Sequence, residues 1–355
     1  MAEKILMKGN EAIGEAAIVA GCRHYFGYPI TPQTELTEYM AKRMPQVQGV
    51  FLQAESEVAA INMVYGAAGT GVRVMTSSSS PGISLKQEGI SYIAGAELPC
   101  VIVNIMRGGP GLGGIQPGQA DYFQAVKGGG HGDYRNIVLA PNSVQELVDM
   151  TIQAFDLAEH YRNPVMLLGD GALGQMMEPV EFKIGDMAPM AKPWAANGMR
   201  GRKEPNIINS LHLQPEKLEQ HNIHLQEKYA VIQANEARWE ELHTDDADLI
   251  LVAYGITSRI ARTAMEKARS EGLKVGMLRP QTLWPFPEAP FQRLSDNAKA
   301  FLVLELSAGQ MVEDVRLAVN GKKPVAFYGR TGGMMPSPKS VYEQIVKTVQ
   351  EKGGK

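Results

Sequence analysis

Gly49-Val50-Phe51-Leu52-Gln53-Ala54-Glu55-Ser56-Glu57-Val58-Ala59-Ala60 decides how this chain folds. A short apolar run ends in a turn, and an acid then stands at the head of a small-residue stretch that continues through Tyr65-Gly66-Ala67-Ala68. The run has strand length. The stretch after it reads as a helix that crosses back over a sheet. The same unit recurs on either side. Tyr25-Phe26-Gly27-Tyr28, Val72-Arg73-Val74-Met75, Cys100-Val101-Ile102-Val103-Asn104-Ile105, Ile137-Val138-Leu139-Ala140 and Val165-Met166-Leu167-Leu168 each end in turn residues. Crossover-length segments separate them. Runs that are apolar on both faces predict a parallel sheet covered by helices over residues 1–180. Ser143 and Glu146 match a capping box, and Leu147, Met150, Thr151, Ala154 and Leu157 give the apolar face of the helix that follows.

Residues 181–245 break this rhythm. Met and Pro cluster in Met187-Ala188-Pro189-Met190-Ala191-Lys192-Pro193-Trp194, and a basic patch follows at Arg200-Gly201-Arg202-Lys203. A polar stretch from Gln214 to Leu242 alternates charges, as a solvated or partner-covering helix does. The segment reads as a linker with a helix. Residues 246–345 return to α/β. Strands are predicted at Asp248–Tyr254, Lys274–Leu278, Ala300–Glu305 and Val325–Tyr328, with Thr257 or Ser258 capping a helix. Residues 346–355 read as a C-terminal tail.

The bulk properties exclude several functions. A chain of 355 residues suggests two domains, and 44% hydrophobic with 21% charged residues is ordinary for a globular protein with a sizeable core. A net charge of -3 offers no polyanion-binding surface, which argues against nucleic acid. The start lacks the apolar core of a signal peptide, and no run is long enough for a membrane span, so a cytoplasmic protein is expected. Two cysteines, Cys22 and Cys100, lie in apolar contexts and cannot ligate an iron–sulfur cluster between them. Core packing in a reducing compartment is expected.

Four segments could carry chemistry. Glu57, with Gly66 nine positions on, has the arrangement that thiamine diphosphate enzymes use against the aminopyrimidine ring. A carboxylate hydrogen-bonded to the ring nitrogen N1′ drives the tautomerisation that activates the cofactor. It must be partly desolvated and rigidly placed, which a helix start on a sheet provides. Glu55 competes, but the spacing to Gly66 favours Glu57. The alternative is that both acids only favour the positive end of a helix dipole. The second segment is Tyr28-Pro29-Ile30-Thr31-Pro32-Gln33, which follows a strand. Pro29 and Pro32 stiffen the loop so that Thr31 presents its hydroxyl from a fixed frame; an ordinary turn with Thr31 as helix cap is the alternative.

The third is Met106-Arg107-Gly108-Gly109-Pro110-Gly111-Leu112-Gly113-Gly114. Arg107 follows a buried strand, where open parallel sheets place ligand-binding residues. A guanidinium there suits a 2-oxoacid carboxylate, with a surface ion pair as the alternative. Gly109, Gly111 and Gly114 also form a formal GxGxxG. Ile115-Gln116-Pro117-Gly118 follows instead of a helix, which demotes a nicotinamide-dependent dehydrogenase. The fourth is Gly169-Asp170-Gly171 with Asn197 downstream, a defective version of the pattern that holds Mg2+ and diphosphate; no metal site is assigned to it. Ser79 and Ser80, in the Thr76–Gly82 loop, could line the same crevice, as could Leu112 and Gln116. His131, in Gly128–Asp133, stands without a second ligand at metal spacing and reads as structural or interfacial.

Taken together, these residues resemble the alpha subunit of the 2-oxoacid:ferredoxin oxidoreductases over nearly the whole chain. Tyr28-Pro29-Ile30-Thr31-Pro32 is the most specific match. The resemblance implies a thiamine-enzyme pyrimidine-type parallel-sheet α/β domain followed by a transketolase C-terminal-like α/β domain. It assigns cofactor binding to Glu57, Tyr28 and Pro29, catalysis to Glu57 and Thr31, and substrate binding to Thr31 and Arg107. It also implies thiamine diphosphate shared with a beta subunit that supplies Mg2+, the diphosphate contacts and a proximal cluster. Gamma and ferredoxin-like delta subunits, coenzyme A and ferredoxin complete the reaction, and no cluster is expected in this chain. Within the family, the runs Met75–Gly82 and Gly111–Pro117 most resemble the branched-chain, 2-oxoisovalerate type, and the loop is apolar and uncharged up to Asp121, which suits an apolar side chain. A 2-oxoglutarate enzyme is the alternative. A scaffold that has lost activity is the other, and it is disfavoured because Thr31, Glu57 and Arg107 are all present.

Overall fold

The computed structural model describes residues 4–183 and 190–352. The first half of the chain runs β1 (Ile5–Lys8), α1 (Gly9–Val19), β2 (His24–Gly27), α2 (Thr34–Arg43), β3 (Val50–Gln53), α3 (Glu57–Gly69), β4 (Val74–Ser78), α4 (Ser80–Gly95), β5 (Cys100–Met106), α5 (Tyr122–Val126), β6 (Ile137–Leu139), α6 (Val144–Tyr161), β7 (Pro164–Asp170), α7 (Gly171–Gln175) and β8 (Met177–Val180). The second half runs α8 (Pro215–Glu236), β9 (Trp239–Leu242), β10 (Leu249–Val252), α9 (Gly255–Ser270), β11 (Val275–Pro280), β12 (Thr282–Trp284), α10 (Glu288–Asn297), β13 (Ala300–Glu305), α11 (Met311–Val319), β14 (Val325–Gly329) and α12 (Pro338–Lys352).

The apolar runs of the first half form a seven-stranded sheet in the order β12-β6-β7-β5-β4-β2-β3. Its strands are parallel except β12, which pairs antiparallel with β6. Strands β4, β5 and β7 are buried along their whole length, which is why their sequences carry no polar alternation. Strand β3 departs from the expectation of burial on both faces. It is the sheet edge, and Val50 and Leu52 are 45% and 39% exposed. Cys22 and Cys100 are buried in the core, and burial pushes both thiols up to about 12.

A second sheet has the order β14-β13-β10-β11-β9, with β9 antiparallel to β11. Here the structure corrects three expectations. The polar stretch Gln214–Leu242 is not one helix. It ends at Glu236, Ala237 is extended, and Trp239–Leu242 forms β9. Helix α9 starts at Gly255, whose φ of +57° turns the chain; Thr257 and Ser258 are already helical, and their hydroxyls donate back to the Tyr254 and Gly255 carbonyls. Residues 346–352 continue α12 instead of forming a tail. Met187-Ala188-Pro189 and residues 353–355 lie outside the described residues.

Buried polar contacts clamp the two sheets together. Ser143 caps α6 by accepting from the Glu146 amide, while the Glu146 carboxylate reaches the Asn142 amide, one residue before the cap. The same carboxylate holds Arg279 at 2.7 and 2.9 Å, and Arg279 is fully buried and also bonded to Glu240. Gln119 donates to the Tyr254 carbonyl and accepts from the Leu306 amide.

Candidate active site

The parallel strands β2, β3, β4, β5 and β7 all end at one edge of the first sheet, and the loops that follow them carry the candidate residues. Ser56 caps α3 by accepting from the Ala59 amide, so Glu57 is the first helical residue. Of the two competing acids, Glu55 is exposed and Glu57 is 6% exposed. The Glu57 side chain lies against α4. A methyl group at Gly82 would stand 2.5 Å from Glu57 Oε1 and overlap Ser78 Oγ, so glycine is what lets the carboxylate lie there. No donor among the described residues reaches that carboxylate. The residue is buried as a whole, yet its oxygens are not among the buried unpartnered atoms, so the carboxylate keeps a narrow opening toward the crevice.

The Tyr28–Gln33 loop is stitched down by its last residue. Gln33 is fully buried; its amide nitrogen donates to the Tyr28 carbonyl, and its Oε1 accepts from Ser77 Oγ at 2.6 Å and Thr37 Oγ1 at 3.1 Å. Gln33, not Thr31, occupies the cap position of α2. Thr31 is therefore free of a capping role, and it is exposed.

Arg107 ends β5 and is 8% exposed. Its Nη1 donates to the Thr31 carbonyl and its Nη2 to the Leu112 carbonyl, both at 2.9 Å. These two bonds bring the Thr31 loop and the glycine-rich loop onto one guanidinium. The second N–H of each terminal nitrogen and the buried, unpartnered Nε remain. Arg107 forms no surface ion pair among the described residues.

A polar network that sequence reading missed lies behind Arg107. Asp121 Oδ2 accepts from Ser80 Oγ at 2.7 Å and Asn104 Nδ2 at 2.9 Å, and Ser80 Oγ accepts from the Arg107 amide at 3.0 Å. Burial pushes the Asp121 carboxyl up, against the two hydrogen bonds and the Arg107 charge. Asn104 carried a signal, being a polar residue inside a strand buried on both faces. Lys86 carried one too, as the charge in the buried face of a small-residue helix. It is fully buried, and its Nζ donates to Thr76 Oγ1 at 2.9 Å. Burial pushes the ammonium down to about 8, with Glu57 pulling the other way.

The remaining candidates separate. Ser79 is fully buried with an unpartnered hydroxyl. Leu112 and Ile115 are 87% and 57% exposed at the tip of a closed loop, where the Gly108 amide donates to the Gln116 carbonyl. That loop carries no helix after Gly114, so the formal GxGxxG is no nucleotide turn. Gln116 is exposed and packs against Gly333 from the second sheet's side. Asp170 is fully engaged: its carboxylate accepts from the Ala172, Leu173 and Ile256 amides, and burial raises it to about 6. Asn197 accepts from Arg202 instead of joining it. His131 is exposed, with its ring edge-on to Tyr92.

Comparison with known proteins fits this geometry. Residues 15–243 match the family described as pyruvate flavodoxin/ferredoxin oxidoreductase, thiamine diphosphate-binding, and residues 247–341 match pyruvate:ferredoxin oxidoreductase core domain II. A ketoisovalerate oxidoreductase subunit of Methanothermobacter thermautotrophicus is 54% identical over 96% of this chain and 96% of its own length. This chain belongs to the 2-oxoacid:ferredoxin oxidoreductase family. A second member, a 2-oxoglutarate synthase subunit of Methanothermobacter marburgensis, is 37% identical over 98% of the chain and 99% of its own length. Among solved structures, a 2-oxoglutarate:ferredoxin oxidoreductase of Magnetococcus marinus superposes with a TM-score of 0.87 at 30% identity, covering 98% of this chain and 66% of that one. A split-gene transketolase shares the fold, at a TM-score of 0.61 and 14% identity. The chain is thus an enzyme subunit of this family, with an α/β fold built on a parallel-sheet thiamine-binding domain. No helix among the described residues is long and apolar enough to cross a membrane.

The residues present fit one side of thiamine diphosphate. Glu57 offers a buried carboxylate with its lone pairs open and a glycine beneath it. Asp170, in the defective pattern to which no metal site is assigned, accepts from three backbone amides.

Proposed function

We propose that this chain supplies the aminopyrimidine side of a thiamine diphosphate site shared with a beta subunit, in a complex that oxidatively decarboxylates a branched-chain 2-oxoacid such as 2-oxoisovalerate. The products are the acyl-coenzyme A, carbon dioxide and reduced ferredoxin. The observation that carries the reading is the buried Glu57 carboxylate without a donor, on the same sheet edge as the braced Arg107 and the exposed Thr31. When bound, the cofactor supplies the nucleophilic carbon and accepts the electrons left as carbon dioxide departs. Glu57 holds the proton at the ring nitrogen. The remaining N–H groups of Arg107 pair with the substrate carboxylate, and the Thr31 hydroxyl donates to the 2-oxo or carboxylate oxygen. Tyr28 and Pro29 shape the loop, and Ser80 fixes the Arg107 backbone. The beta subunit provides Mg2+, the diphosphate contacts and a proximal cluster, with gamma and ferredoxin-like delta subunits completing a cytoplasmic complex.

The substrate choice rests on two supports. The ketoisovalerate relatives are 54% and 52% identical, against 35–37% for the archaeal 2-oxoglutarate relatives. The loop that carries Leu112 and Ile115 is apolar and brings no cation for a second carboxylate. An apolar wall distinguishes substrates by about 1–3 kcal/mol per methylene. In the assembled complex with a viologen acceptor, kcat/KM is expected to rank 2-oxoisovalerate and longer branched acids above pyruvate, with 2-oxoglutarate poor. A preference for 2-oxoglutarate would overturn the branched-chain reading and leave the family intact.

A further inference from the structure

A lysine inside a protein is expensive. Desolvating an ammonium costs several kcal/mol unless partners compensate, and this group has three N–H donors to satisfy. Lys86 is fully buried, and its one hydrogen bond goes to a neutral hydroxyl, Thr76 Oγ1. Methionine would fill the same space without the cost. The charge therefore has a use, and its position says which. Lys86 lies one helical turn after Gly82, the residue against which the Glu57 carboxylate rests, so both residues are on the α4 face that looks at Glu57. The acid and the base sense each other, since Glu57 is the charge that pulls the Lys86 ammonium back up against its burial. They form no direct ion pair, and Lys86 takes none of the carboxylate's lone pairs. Elsewhere in this chain a buried cation does the opposite: Arg279 grips Glu146 and Glu240 directly.

We propose that Lys86 is a positioning residue for Glu57. Its ammonium, tethered by Thr76, is the internal counter-charge that holds the carboxylate in place while leaving its oxygens open to a ring N–H donor. The proposal rests on reading Glu57 as the partner of the aminopyrimidine. It explains how a largely buried carboxylate can go without a donor among the described residues. Water or a backbone amide would stabilise it as well but would compete with the cofactor.

A double-mutant cycle tests it, because a positioning residue acts only through its partner. The assembled complex, stripped of cofactor, is titrated calorimetrically with thiamine diphosphate and Mg2+ as wild type, Lys86→Met, Glu57→Gln and the double variant. Lys86→Met is expected to weaken binding about tenfold or more when Glu57 is present and less than about twofold when it is Gln. An equal loss in both backgrounds means that Lys86 only packs, and this overturns the proposal. Should Lys86→Met fail to assemble, Thr76→Val frees the ammonium from its tether and is run through the same cycle. A loss that vanishes in the Glu57→Gln background supports the proposal, and one that persists overturns it. If Glu57→Gln itself binds cofactor and turns over like wild type, the reading of Glu57 falls and Lys86 falls with it.

Discussion

Glu57 and Glu305 are both buried acids beside the C-terminal edge of a parallel sheet, Glu305 as the last residue of β13 and Glu57 at the head of the helix that follows β3. Glu305 ends β13 and accepts from Ser307 Oγ and from the amides of Gln310, Met311 and Val312, which ties down the start of α11. Asp170, at the junction between the sheets, is consumed in the same way by three amides. Glu57 accepts no hydrogen bond from the described residues. The two others are parts of the scaffold, each accepting from three backbone amides. Glu57 is kept in reserve, with a cation nearby but not bonded to it. Burial alone therefore does not separate these acids; the absence of a donor among the described residues does, and that is what the proposed role of Glu57 rests on.

Substitutions that treat the three acids alike should give different outcomes. Glu57→Gln is expected to lower kcat of the assembled complex by about 10²–10⁴-fold, the scale of a positioned acid–base group, with the complex still assembled. Near-normal turnover, or a larger loss from Glu55→Gln, would move the assignment. Arg107→Ala should come next, costing about 2–5 kcal/mol in kcat/KM. Because every 2-oxoacid carries the carboxylate, the loss should be uniform across substrates; a selective loss would place Arg107 against the side chain instead.

Asp170→Asn addresses the scaffold side through pH. The carboxyl is raised from 3.8 to about 6 by burial, so the folded state holds the proton more tightly than the unfolded one. Its stabilising contribution is complete below about pH 4 and is lost as pH rises through about 6. At about 1.4 kcal/mol per pH unit the gap amounts to about 3 kcal/mol. Wild type should lose that stability relative to Asp170→Asn between pH 4 and 6 in denaturant titrations, and parallel curves would contradict the assignment. Glu305→Gln is expected to be the smallest effect, about 1–3 kcal/mol of stability, because the new amide N–H faces backbone donors. Its kcat should hold, in contrast to Glu57→Gln.

The parallel sheet was legible because strands buried on both faces leave apolar runs that no other element imitates at that spacing. The distance to Gly66 favoured Glu57 over Glu55, and the structure buries the first and exposes the second; Arg107 stands after β5 as its place in the sequence suggested. What escaped has a common cause. Strand β9 is short and charged, β12 is three residues long, and both owe their pairing to neighbours distant in sequence. Lys86, Asn104 and Asp121 act through contacts across elements, so no local period announces them. Their trace was a misfit, a polar or charged side chain where the pattern wanted an apolar one. The expected Thr76–Gly82 loop is in fact the end of β4 and the first turn of α4, because close packing puts Gly82 in the helix with Glu57 against it.

Strand β12 has a consequence for how the protein can be made and divided. The two family matches meet between residues 243 and 247, which looks like a natural cutting point. Yet Thr282 to Trp284 close the outer edge of the first sheet against β6. On the ribosome, the nascent first half must wait with an open β edge until the chain has been translated past Trp284, and an open edge invites pairing with another chain. Had an ancestral gene been split at the apparent seam, both products would have inherited an unfinished sheet.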